Sequence, residues 1–246
     1  MSRLSSARRT PGLTDSELTV AWQAASLLLG YPDAELLDRL DLIRGAALEL
    51  PDHVGRPLRE CVVRLEGEAL GDLEADYVDT FDTRRRHNLF LTYFAHGDTR
   101  KRGMALLRFK QVYLESGFAL TDTELPDHLC VVLEYAATID RERGRGLILD
   151  HRAGLELLRI SLTEAGSRWA GAVEAVTATL PPLRGDEREA VRRLAAEGPP
   201  EEEVGLTPYA TPAFDPGPAV PGGPVPLPMP AFPAPAASAP SAMGVS

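Results

Sequence analysis

The sequence predicts an all-α protein, a single bundle-like domain of about nine helices with a disordered C-terminal tail. Three observations carry this. Apolar residues recur at helical spacing in segment after segment, helix-capping patterns sit at their starts, and no run of residues alternates convincingly as a strand would. With 246 residues, 44% hydrophobic and 25% charged, the chain can bury a sizeable core.

The elements follow in order. Residues 1–13 form a flexible lead-in. Thr14-Asp-Ser-Glu17 is a capping box ahead of Leu18, Ala21, Trp22, Ala25 and Leu29, and Gly30-Tyr31-Pro32 ends that helix. A second helix starts at Asp33 with Leu36, Leu37, Leu40 and Ile43, and Pro51 and Gly55 break the pattern. A third spans about 57–70, and Asp72 caps a fourth carrying Leu73, Tyr77, Val78 and Phe81. Periodicity then lapses from Asp82 to Thr99. Asp98-Thr99 caps a fifth helix with Leu106, Leu107, Phe109, Val112 and Tyr113, ending at Gly117. Pro126 opens a sixth with Leu129, Val132, Leu133 and Ala136. Three more cover about 146–165, 167–180 and 186–197, the second stopped by Pro181-Pro182. The helical domain therefore spans 14–197. From Gly198 to Ser246 Pro, Ala and Gly dominate and Lys and Arg vanish, a composition that offers too little apolar burial to offset ordering entropy.

Bulk properties narrow the function. A formal charge of −10 argues against a nucleic-acid-binding surface. The longest strongly apolar stretch, Ala24–Leu29, falls far short of the roughly 18 residues of a membrane span, and no signal-peptide pattern opens the chain. Two cysteines without CxxC spacing suit a reducing cytoplasm and give no thiolate zinc site. Nucleophile elbow, H-E-x-x-H, Walker loop and G-x-G-x-x-G are all missing, so no catalytic residue is nominated and the expectation is a non-enzyme. His87, His96, His128 and Cys130 match no metal-ligand pattern, because His128 and Cys130 lie about 200° apart on a helix.

What stands out is Tyr77–Arg102, a long connection with six basic and five aromatic side chains framed by capped helices. Such connections are where binding function tends to sit. These residues, with their neighbours, resemble the NarJ family of assembly chaperones for respiratory nitrate reductase, within the wider redox-enzyme maturation chaperones. The resemblance runs through Leu29-Gly-Tyr-Pro-Asp33, Tyr77-Val-Asp-Thr-Phe-Asp82, Leu91–Leu107, Glu124-Leu-Pro-Asp-His-Leu129 and Val131-Val-Leu-Glu134.

The resemblance implies a chaperone that binds the N-terminal segment of the apo catalytic (alpha) subunit of nitrate reductase. It would keep that subunit competent for insertion of the molybdenum bis-guanine-dinucleotide cofactor before membrane docking. On this view it binds no cofactor permanently and is not part of the finished enzyme. A monomer in the cytoplasm is expected. For the partner groove, Tyr77, Phe81, Leu91, Tyr93 and Phe94 are the expected walls, Asp82, His96, Asp98, Arg100 and Lys101 its rim, and Asp127 and His128 its far side, with the leader seated among the fourth, fifth and sixth helices. The alternative is a small-ligand protein in which Arg84–Arg86 and Arg100–Arg102 hold a nucleotide or the molybdopterin guanine dinucleotide.

Overall fold

A computed structural model describes residues 12–121 and 124–200. The chain divides into a unit Met1–Glu202 and a second unit Glu203–Ser246, and the latter lies outside the described residues, as do the expected lead-in up to Pro11 and the expected tail beyond Pro200. Among the described residues there is no β-strand, and the helices are α1 (Asp15–Leu28), α2 (Ala34–Leu48), α3 (Asp52–Leu65), α4 (Leu70–Phe81), α5 (Tyr93–His96), α6 (Arg100–Glu115), α7 (Leu129–Thr138), α8 (Arg141–Asp150), α9 (Arg152–Glu164), α10 (Ala170–Ala178) and α11 (Gly185–Glu197). The all-α class therefore holds, with eleven helices where nine were expected.

Local chemistry explains the ends. Thr14 closes the expected capping box, its Oγ1 accepting from Glu17 N–H at 3.2 Å while the Glu17 carboxylate accepts from Thr14 N–H at 2.6 Å. Asp33 caps α2 through Leu36 N–H at 2.7 Å. Several boundaries differ from expectation, among them the start of α4, where Asp72 lies inside the helix instead of capping it, and three have a specific cause. Helix α3 starts at Asp52 and runs through Gly55 and Pro57, because Gly55 is a close-approach position rather than a break: a Cβ there would lie 2.1 Å from the Ala47 carbonyl oxygen of α2. The expected helix over 146–165 is two helices. Asp140 caps the first, accepting from Arg143 N–H at 3.0 Å, and His151 Nδ1 lies 2.9 Å from Leu147 O at the junction. Helix α7 opens at Leu129, not Pro126, because the His128 Nδ1 accepts from Cys130 N–H at 3.3 Å.

The centre of the fold is α1, packed on α7, α10, α2 and α3, with α3 laid along α10 and α11 along α9. Trp22 on α1 is fully buried, and its indole N–H donates to Thr179 Oγ1 at 3.0 Å, so the largest apolar group in the helix strands no donor. Trp169 packs edge-on against Tyr77 and Phe81, both at 5.4 Å. One polar group survives in the core of α9: the Glu156 carboxylate lies 2.6 Å from Arg152 Nη2 and 2.8 Å from Arg159 Nε, with Arg152 and Glu156 both buried.

The α3–α10 crossing is tight enough to be tested. A Cβ on Gly171 would lie 2.2 Å from the Pro57 carbonyl oxygen, a backbone atom that cannot swing aside. Gly171→Ala is expected to lower stability by about 1–3 kcal/mol through overpacking. Gly45→Ala in α2, where a Cβ meets nothing within 4 Å, should raise it by about 0.5–1 kcal/mol through backbone entropy. Urea unfolding of both variants measures the contrast, and equal effects would contradict this packing.

Candidate functional site

The stretch that lost periodicity is organised by pairing across the chain. Leu91 N–H donates to Asp127 O at 3.0 Å and Leu129 N–H donates to Leu89 O at 2.8 Å, an antiparallel bridge centred on Phe90 and His128. Their rings meet edge-on at 5.1 Å, and the Arg102 guanidinium sits 5.2 Å from the centre of Phe90.

Asp127 is fully buried at the middle of this bridge. One carboxylate oxygen accepts from Thr92 N–H at 3.2 Å and from Thr92 Oγ1 at 2.5 Å, and Arg102 Nη2 stands 3.6 Å from that same oxygen. Arg102 Nε donates to Thr92 Oγ1 at 3.2 Å and Nη1 to Asp98 at 3.2 Å. The other Asp127 oxygen has no hydrogen-bond partner among the described residues. The arrangement is a buried carboxylate held by one hydroxyl, one amide and one guanidinium, which fixes two loops to each other.

The structure distributes the sequence-predicted residues unequally. Tyr77 and Phe81 belong to the aromatic cluster around Trp169, and the Tyr77 hydroxyl donates to Leu29 O at 2.8 Å. Burial pushes the Tyr77 phenol up, so it stays a neutral donor. Leu91, Tyr93 and Phe94 are likewise buried. Asp82 is the exposed end of α4, while Asp98, Arg100 and Lys101 are exposed at the start of α6, beside half-buried His96. Asp127 and His128 face Leu89–Thr92 across the bridge. The five expected wall residues are buried, and the nearest open surface is a cleft beside Leu91 and Phe94.

That surface is a cleft of about 300 Å³ lined by Leu91, Phe94 and Ala95, by Asp150, His151, Ala153 and Gly154 at the α8–α9 junction, and by Ala190, Arg193, Leu194 and Glu197 of α11. Helix α6 borders it, because Arg108 pairs with Asp150 at 2.9 Å and Phe109 packs on His151 at 5.2 Å. The outward face of α6 carries Met104, Leu107 and Leu114, 71%, 58% and 60% exposed. Thr92, His151 and this stripe were missed as site residues. The stripe has a sequence signal, since 104, 107 and 114 share a helical face, but Leu107 was read with Phe109 and Tyr113 as one apolar pattern, and the structure leaves it exposed.

The basic residues do not converge on one anion site. Arg84 pairs with Asp79 at 2.7 Å, Arg86 donates to Ala195 O at 3.1 Å, and Arg102 serves Asp127. No group of three or more His, Cys, Asp or Glu gathers as a metal site among the described residues, and none of their helices is long and apolar enough to cross a membrane. Burial pushes the thiols of Cys61 and Cys130 up to about 12, which makes both poor nucleophiles and poor ligands near neutrality.

The model of the nitrate reductase delta subunit family matches residues 36–175, from α2 into α10. This chain belongs to that family. Among its relatives are the probable nitrate reductase molybdenum cofactor assembly chaperone NarJ of Bacillus subtilis strain 168, 35% identical over 171 residues, 68% of this chain and 90% of that one. The NarJ assembly chaperone of Escherichia coli K12 is 33% identical over 149 residues, 59% of this chain and 63% of that one. The nitrate reductase-like protein NarX of Mycobacterium tuberculosis H37Rv is 43% identical over 164 residues, 65% of this chain and 24% of that one. The chain thus spans about a quarter of the length of NarX. The NarJ resemblance in the sequence is in this way supported by comparisons that extend over most of the helical core.

The site has a pH signature. Burial holds His87, His128 and His151 below the ordinary histidine range. An unfolded chain therefore binds more protons than the folded one as pH falls below about 6.5, so stability is fully present above that pH and declines beneath it, with a slope of up to about 1.4 kcal/mol per pH unit for each histidine. Urea unfolding at pH 7.5 and 5.5 should show the loss. His128→Asn, which keeps a capping side chain and removes the titration, should make it smaller.

Proposed function

We propose that this protein is an assembly chaperone that binds the N-terminal segment of the apo catalytic subunit of nitrate reductase and keeps that subunit open to molybdenum cofactor insertion before it docks at the membrane. The observation that carries this reading is the face of α6 on which Met104, Leu107 and Leu114 stand exposed, on a helix that borders the cleft lined by Leu91, Phe94 and Ala95. Large apolar side chains exposed together on one helix face are a feature of partner surfaces. Membership of the nitrate reductase delta subunit family, with NarJ assembly chaperones among the relatives, supports a nitrate reductase subunit as the partner.

The energetics favour an apolar contact. Ordering a flexible leader into a helix costs about 2–5 kcal/mol, and a micromolar complex needs about −8 kcal/mol net. The gross gain is then about 10–13 kcal/mol, several large side chains at roughly 1.5–3 kcal/mol each. The cleft and the stripe together offer that many positions, whereas the cleft alone sits at the lower end of the roughly 300–1,000 Å³ of small-ligand sites. Asp98, Arg100 and Lys101 at the head of α6 would orient the leader electrostatically.

Titration calorimetry of the full chain with a peptide of the catalytic subunit's N-terminal segment tests the reading. Binding near micromolar is expected. Leu107→Glu should weaken it by about tenfold, about 1.4 kcal/mol, with the melting temperature nearly unchanged because the side chain is solvent-exposed. Absence of heat at high micromolar peptide would sink the proposal.

A further inference from the structure

Past α11 the chain turns back onto the protein. Gly198, at φ +77°, closes the helix with its N–H on Leu194 O at 2.9 Å. Pro199 is half-buried, and the Pro200 carbonyl lies against Gly97 at the end of α5. A Cβ on Gly97 would lie 1.8 Å from Pro200 O and 3.0 Å from Pro200 C, so this approach exists only because residue 97 has no side chain. Gly97 also holds φ +57°, a second reason for glycine there. Through these contacts Gly198 and Pro200 line the same cleft as Leu91 and Phe94.

The composition of this segment suits that place. Proline has no backbone N–H, so neither Pro200, exposed at the cleft, nor half-buried Pro199 before it brings a donor that would be stranded there. Their fixed φ also makes an extended conformation cheap to order, which is why aromatic-lined grooves take proline-rich peptides. Gly198 and Pro200 form part of the cleft wall, where an incoming peptide would meet them.

We propose that Gly198–Pro200 is an intramolecular strap that competes with the client leader for the cleft floored by Leu91 and Phe94. The inference rests on the leader-binding reading given above. A strap that is closed most of the time lowers the apparent affinity by the open fraction. It thereby admits only a leader whose own apolar contacts outweigh those of the two prolines, which sets a threshold for recognition and helps release once the leader is drawn away.

The test uses the full chain. The catalytic subunit's N-terminal peptide is titrated into wild type and into the double variant Pro199→Gly, Pro200→Gly, whose strap is flexible and has lost its rings. At least threefold tighter binding by the variant is expected. In parallel, Pro199→Cys reports access by alkylation, since the native thiols of Cys61 and Cys130 are held protonated by burial. Saturating peptide should speed alkylation at position 199. Equal affinities with unchanged alkylation would overturn the strap while leaving leader binding intact. No binding by either protein would overturn both.

Discussion

A single buried carboxylate organises the part of this protein that differs from an ordinary helical bundle. Asp127 accepts from both the amide and the hydroxyl of Thr92 and faces Arg102, and its own carbonyl accepts from Leu91 N–H. Burying a charge costs several kcal/mol unless its partners are close and well aligned. Here the carboxylate's partners come from two segments, Leu89–Thr92 and the first turn of α6, so it is tolerated only when both are in place. The consequence is geometric: Leu89–Thr92 is pinned to the start of α7, α5 follows in a fixed direction, and Phe94 is brought to the floor of the cleft.

Everything outward of that node depends on its position. Phe94 packs so closely on α9 that a Cβ on Gly154 would lie 2.6 Å from its Cβ and 2.7 Å from its ring. Helix α6 starts from Thr99, is tied back through Arg102, and meets the α8–α9 junction through Arg108 and Phe109. The apolar face of α6 is thus held beside the cleft by polar contacts, while its outward side chains stay uncovered. A rigid frame with an uncovered apolar edge is what peptide recognition requires, because the frame is ordered in advance and only the peptide bears the ordering cost.

Much of the fold was legible in the sequence, and the reasons for the rest are specific. Helices α1 and α2 were visible because side-chain caps and apolar periodicity agree at their starts, at Thr14–Glu17 and Asp33, whereas Thr99 before α6 makes no side-chain cap bond and α6 was read from its apolar spacing. Helix α8 was hidden, since Arg-Glu-Arg-Gly-Arg-Gly has no apolar stripe, and its start depends on the Asp140 cap and on Gly144, where a Cβ would lie 2.4 Å from Ala136 Cβ. Gly55 read as a break because close approach to another helix cannot be told from a turn without the partner. For the site, Tyr77–Arg102 stood out in the sequence, and the structure organises its irregular part by pairing Leu89–Leu91 with Asp127–Leu129. The aromatics within it proved to be interior, because sequence registers an aromatic residue but not which side of it is covered. Thr92 was passed over, since its role exists only through Asp127, 35 positions along the chain.

The central claim is that the Asp127 carboxylate fixes Leu89–Thr92 and thereby the client surface. Amide hydrogen exchange, measured residue by residue on wild type and Asp127→Asn, tests it most directly. Exchange at Leu91, Thr92 and Leu129 should accelerate strongly in the variant, while the amides of α3 and α10 stay as protected as before. Unchanged exchange at those three amides, or an equal rise throughout the core, would contradict it.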